Sequence, residues 1–330
     1  MSYTSESILG KEATLSRVRD VVDLLGYIQV NDGLKVPGRT DGYMWAERKD
    51  YKSYVGVELD IYRREDNTIV VATRSRVGRS YWDLIQQNRT LKMLRDLFGG
   101  YFITDAGRNR YWRPDHKPPA PEASGCFLAR WRFHNALIKP RLYISQRGFE
   151  QPNARPVPIG FHVIEEMNPR LFSNNLVLPY LVAIWEEYFR ASFIALLTYS
   201  PQRETAFKKV NFNQSQLESI AANMINVEEA VANSFSFQRP TTIAKNFKLL
   251  DSNIDLAGVL RKPYRRRKKS LFDTIELCVE DHNEFVHSGQ INVHLTDKKL
   301  QTLLSNFEEA VERCYQEFGR RFKFVPDHGF

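Results

Sequence analysis

Apolar residues recur at helical spacing through Leu15, Val18, Val21, Val22 and Leu25, which predicts a helix over 13–27. A Gly-, Asp- and Pro-containing stretch from Asn31 to Asp50 reads as a long loop. Tyr54, Val55, Val57, Leu59 and Ile61 then mostly alternate, the mark of a half-buried strand. Glu65-Asp66-Asn67 supplies a turn, and 68–73 a β-rich return strand. Trp82, Ile85, Leu91, Leu94, Leu97 and Phe98 give a helical face over 80–98, which Gly99-Gly100 can stop. A short strand at 101–104 and a turn at 105–107 follow. Four prolines make 114–125 an exposed loop. Phe127, Ala129, Trp131 and Phe133 alternate again, and 142–144 is strand-like too.

The pattern changes at Met167-Asn168-Pro169. From Asn174 onward the period is helical. Leu181, Val182, Ile184, Trp185, Tyr188, Phe189 and Phe193 cover most of a helix circumference, and Pro179 is tolerable in a first turn. Further helices are predicted over 214–234 and 241–250, and from Ser270, which has Asp273 three residues on in a capping-box-like arrangement. A last helix over 297–321 has Leu300, Leu303, Leu304, Phe307, Val311, Cys314 and Phe318 on one face. The expected fold class is α+β: a mixed α/β domain with an antiparallel sheet over 1–168, then an all-α bundle over 169–330.

A length of 330 residues fits two domains, and 42% hydrophobic content supplies ordinary cores. Cys126, Cys278 and Cys314 are odd in number and far apart with no CxxC pair, which argues against a disulfide framework or a zinc site. The N-terminus has no basic region leading into an apolar core. The most apolar stretch, 176–199, is interrupted by Glu186, Glu187 and Arg190. A cytoplasmic protein with no membrane span and no metal or other cofactor is expected.

The formal charge is +8, and most of the excess lies in residues 1–150, with 25 basic and 18 acidic side chains. Residues 151–330 carry 15 basic against 21 acidic side chains outside one run, Arg261, Lys262, Arg265, Arg266, Arg267, Lys268 and Lys269, so the run is a local basic patch on an acidic body. Such a patch suits RNA phosphates, and equally a solvated loop. A second candidate lies in the first domain. There Arg74, Arg76, Arg79, Arg89, Arg108, Arg110 and Arg113 are interleaved with Tyr81, Trp82, Tyr111 and Trp112. This composition fits base stacking, and fits core aromatics equally well.

The helix from Ser270 buries Leu271, Ile275, Cys278 and Val279, with His282 on the next turn. Glu280, Asn283, Glu284 and His287 form a flanking polar face. His282 and His287 diverge by about 140°, so a second helix or subunit must complete any shared site. On the residues alone a packed, hydrogen-bonded core histidine is the favoured reading of His282, and helix-end electrostatics explains His287.

Asn283 and His287, in Asp281-His282-Asn283-Glu284-Phe285-Val286-His287-Ser288-Gly289, resemble the R-N-x-x-x-H motif of the HEPN superfamily. The Ile184–Tyr188 helix resembles the opening helix of a branch associated with RNA processing and phage defence; the likeness covers roughly 170–322. One departure stands out: His282 replaces the usual Arg. The resemblance implies an α-helical, metal-independent endoribonuclease with His287 as base and Asn283 orienting it. Its implied setting is a defence or toxin effector, held by an inhibitor or antitoxin and working as a homodimer. Apolar surplus on 178–193 points to the same dimer. The replaced Arg leaves room for a non-catalytic module binding nucleic acid or protein, and the first domain for a DNA-binding regulator.

Overall fold

The computed structural model describes residues 2–326, except 32, 34, 35, 116, 151–166, 266 and 267; of 148–150 it describes the backbone alone. The fold is α+β: the described residues form a seven-stranded antiparallel sheet and eleven α-helices that are mostly C-terminal. Two compact units meet between Ser124 and Gly125, well before the boundary expected near 168.

The first unit runs β1 (Tyr3–Ile8), α1 (Leu15–Leu24), β2 (Ile28–Gln29), β3 (Arg39–Trp45), β4 (Val57–Arg63), β5 (Ile69–Ser75), α2 (Tyr81–Phe98), β6 (Tyr101–Thr104) and β7 (Gly107–Arg108). The strand order is β2-β3-β4-β5-β1-β6-β7. Alternation puts Val57, Leu59, Ile61 and Val71 on one face, where they form a core with Val18, Val21 and Val22 of α1 and Leu94 and Phe98 of α2. The opposite face carries Glu6, Glu58, Asp60 and Arg74, which line a groove of about 610 Å³.

Two strands had no clear sequence signal. In β3, expected to be loop, Gly42 pairs with Asp60, and a Cβ there would meet the Arg39 guanidinium at 1.9 Å. The glycine thus makes room for Arg39 to reach Asp60, 2.7 Å away. β1 alternates Ser5 and Ser7 inward, too polar to read as core. The ends of α2 are as expected. The Ser80 hydroxyl accepts from the Asp83 N–H and the Asp83 carboxylate from the Ser80 N–H, while Gly99 takes a positive φ of 66°.

The second unit continues with α3 (Pro121–Glu150), α4 (Pro169–Tyr199), α5 (Arg203–Phe207), α6 (Gln214–Ala221), α7 (Val227–Asn233), α8 (Pro240–Phe247), α9 (Leu256–Arg261), α10 (Leu271–Ser288) and α11 (Asp297–Phe322). The strands expected at 127–133 and 142–144 are instead parts of α3. Its buried positions Phe133, Leu137, Ile144 and Arg147 follow a helical period, which the local alternation of Phe127, Ala129, Trp131 and Phe133 hides. Arg130 and His134 bind Glu312, and Arg141 binds Glu308, so α3 is tied to α11. The single helix expected over 214–234 is broken into α6 and α7, with Asn223 between them at φ 53°.

In α4, Leu178, Leu181, Val182, Trp185, Tyr188, Phe189 and Phe193 are each at most 2% exposed. Each such side chain contributes about 1.5–3 kcal/mol through burial. Trp185 meets Phe189 and Phe307 edge-on, and its indole N–H donates to the Gln238 carbonyl at 3.1 Å. The surplus apolar surface that suggested a dimer is therefore covered within the unit itself. Among the described residues, no helix is long and apolar enough to cross a membrane.

A buried polar cluster joins α3, α4 and α11. Arg147 donates to Ser173, Asn174 and Asp297, while Arg170 forks onto the other Asp297 oxygen. Asn174 also donates to Asp297 and to the Leu295 carbonyl. Burial raises the Asp297 pKa, but hydrogen bonds from Arg170 and Asn174 and the two guanidinium charges outweigh it, and the carboxyl stays below its usual range.

Candidate active site at the end of helix α10

The Ser270 hydroxyl caps α10, accepting from the Asp273 N–H at 3.1 Å. Leu271, Phe272, Ile275, Cys278 and Val279 bury one stripe, and Gly289 ends the helix in the left-handed region, its N–H donating to Phe285 O. The chain then turns back: Ile291 and Val293 pack on Leu171, with Phe285 against the same cluster. Asn175 of α4 brackets the turn, accepting from the Asn292 N–H at 2.8 Å and donating to its carbonyl at 3.2 Å. Asn292 in turn donates to Asp281 at 2.7 Å. Asp281 is pushed above the usual carboxylate range by burial, against the Asn292 hydrogen bond.

This scaffold sets the candidate residues. His287 is exposed at the helix end, where the free carbonyls favour a cation. Asn283 lies one turn earlier and is partly buried. The His282 imidazole is half-buried; its Nδ1 is fully buried and has no hydrogen-bond partner. Burial holds its pKa below the ordinary histidine value, His287 adds to the depression, and Glu186 of α4 opposes it. The two imidazoles are thus close enough to interact despite their divergence along the helix. His282 is therefore neutral at pH 7 and does not supply the fixed positive charge of an arginine.

The basic run lies elsewhere. Ser270 and His287 are separated by about 25 Å at 1.5 Å per residue, so the run and His287 occupy opposite ends of α10. The run leads directly into this helix in the sequence, which suggests a basic patch beside the imidazole, but within one chain the helix length holds them apart. Of the described residues in the run, Lys269 is the one whose charge acts on Asp281, lowering its pKa against the effect of burial. Tyr264 is buried and anchors the loop, and Arg313 grips the Lys262 and Pro263 carbonyls at 3.0 and 3.2 Å. Arg261, Lys262, Arg265, Lys268 and Lys269 are exposed around it; Arg266 and Arg267 lie outside the described residues.

A nearer cation was missed. Arg239, just before α8, reaches Glu276 at 3.1 Å and Glu280 at 3.4 Å on the polar face of α10. Glu280 is one turn before Asn283, about 10 Å along the axis from His287. No local pattern announces a pairing 37 residues apart in the chain.

In the first unit, part of the arginine-aromatic composition is structural. Trp112 is buried and stacks on Tyr3, and Arg79 is buried over the same ring at 3.7 Å. Among the described residues, no three His, Cys, Asp or Glu side chains gather into a set able to hold a metal ion. No family model, curated protein or solved structure matches the chain.

Proposed function

We propose that the second unit is an HEPN-like metal-independent endoribonuclease acting at the end of α10. The observation that supports this most is the position of His287: an exposed imidazole at the helix end, one turn beyond Asn283. His287 takes the proton from a ribose 2′-hydroxyl. The oxygen attacks the adjacent phosphorus, the P–O5′ bond breaks, and the leaving 5′-oxygen takes its proton from solvent water, giving a 2′,3′-cyclic phosphate. Asn283 and neutral His282 donate hydrogen bonds to the phosphate oxygens. The exposed basic run binds the strand away from the scissile bond. A defence or toxin role, with an inhibitor or antitoxin, belongs to this same reading through the resemblance alone.

Incubation with single-stranded RNA in EDTA is expected to give cleavage; intact RNA at every pH from 5 to 9 would overturn the proposal. A second reading, a non-catalytic HEPN-like module, is favoured by the neutral His282. His282→Arg separates the two: activity that appears only in the variant supports the non-catalytic module. A DNA-binding role for the first unit has no observation that favours it over RNA.

A homodimer remains part of the proposal on a different footing. Phe172, Leu176 and Val286 are 45%, 51% and 51% exposed, and Phe172 lies edge-on to Phe285 beside the motif. A two-fold axis here would bring two His287 side chains into one cleft. Light scattering at micromolar concentration should give twice the chain mass; 38.5 kDa at every concentration would refute the dimer.

A further inference from the structure

Helix α2 presents a basic stripe. Arg89, Lys92 and Arg95, with Asn88, fall within an arc of about 120° at 100° per residue. Leu91, Leu94 and Phe98 lie about 100–160° from the centre of that arc, on the buried side. Asn88 fastens the segment after β7 to this stripe: its amide donates to the Trp112 carbonyl at 2.8 Å, and its oxygen accepts from the Trp112 N–H at 3.2 Å. Asn109 and Thr104 hold the start of that segment. The Asn109 side chain accepts from the Phe102 N–H at 3.1 Å, and the Thr104 hydroxyl donates to the Arg110 carbonyl at 2.8 Å.

These bonds place Arg108, Arg110 and Arg113 beside the stripe, all three exposed like Arg89 and Lys92. Arg95 lies over the Tyr111 ring at 5.6 Å, and Arg108 over Tyr101 at 3.9 Å, with both rings partly exposed. Asp96 approaches Arg95 at 3.7 Å, and Asp105 and Asp115 flank the segment. Arg89, Lys92, Arg110 and Arg113 have no acidic partner among the described residues. Six cations thus lie on a surface held in place by side-chain hydrogen bonds to the backbone, with two partly exposed aromatic rings among them.

We infer that α2 and the 107–113 segment form a single-stranded RNA-binding surface on the first unit, gripping phosphates through Arg89, Lys92, Arg110 and Arg113 and stacking bases on Tyr101 and Tyr111. The guanidinium fork matches phosphate oxygens, and rings edged by arginine suit stacking without sequence preference. The surface shares an RNA ligand with the proposed nuclease but does not depend on its chemistry.

The test uses the full chain carrying His287→Ala, so that binding is read without cleavage. A fluorescent 20-nucleotide RNA is titrated at 50 and 200 mM salt, with and without Arg89→Ala, Arg110→Ala and Arg113→Ala together. Four phosphate contacts predict that affinity falls about 50-fold between those salts, against about 3-fold once three contacts are removed. Binding at 200 mM salt should weaken at least tenfold in the triple variant. The corresponding Arg→Lys triple should keep the salt dependence, since the charges remain. A triple-Ala variant with an unchanged thermal melt, unchanged affinity and unchanged salt dependence would overturn the surface. So would tighter binding of duplex DNA than of single-stranded RNA. Loss of binding alongside an inactive wild-type chain would uphold this surface and remove only the nuclease.

Discussion

His287→Ala is expected to lower the rate of RNA cleavage by about 10²–10⁴, the usual contribution of a positioned general base. Its exposure at the end of α10 makes a folding defect an unlikely source of that loss, since the side chain supports no core contact. Equal thermal melts for variant and wild type, with RNA binding retained, would place the loss in the chemical step. A rate within threefold of wild type would remove His287 from the mechanism. His282→Arg tests the same helix from the other direction. In an active enzyme it restores a permanent charge beside the phosphate, whereas His282 stays neutral through burial and the influence of His287.

The largest stability effect is expected at Asp297. Its side chain is 18% exposed and neutralises Arg147 and Arg170, whose side chains are 5% and 13% exposed. Asp297→Ala leaves two guanidinium groups facing each other with no carboxylate, a loss of about 3–5 kcal/mol. Chemical denaturation should show it as a lower midpoint with an unchanged slope. The pH dependence follows from the same pairing. The folded pKa of Asp297 lies below its unfolded value, so its contribution is complete above the ordinary carboxylate pKa of about 3.9 and is lost as pH falls through the lower folded value. Glu312, held low by His134 and Arg130 despite its burial, acts in the same sense between α3 and α11. Acid unfolding should therefore begin below about pH 4 and be blunted in Asp297→Ala. An identical acid profile in that variant would show the cluster to be energetically neutral.

Elements whose caps and apolar stripe agree were readable from the chain: α2 between Ser80 and Gly99, α10 between Ser270 and Gly289, and the long face of α11. Where two periods coexist, as in Phe127-Leu128-Ala129-Arg130-Trp131-Arg132-Phe133, the strand pattern concealed a helix that long-range ion pairs to α11 complete. β3 was hidden for a different reason, since its glycine serves a neighbouring arginine rather than a turn. Of the candidate site, the order of His282, Asn283 and His287 along one helix was legible. The 25 Å between His287 and the basic run also follows from helix rise alone. Arg239 and the Asn175–Asn292–Asp281 chain were not legible, because each depends on which distant segments meet.

The account turns on whether a ribose 2′-hydroxyl is the nucleophile at the end of α10. The most direct measurement compares one RNA sequence with its all-2′-deoxy counterpart in EDTA, with mass analysis of the product ends. Cleavage of the RNA alone, leaving 2′,3′-cyclic phosphates that disappear in His287→Ala, is the predicted result. Cleavage of the deoxy strand, products ending in 5′-phosphate, or no cleavage of either strand would contradict it.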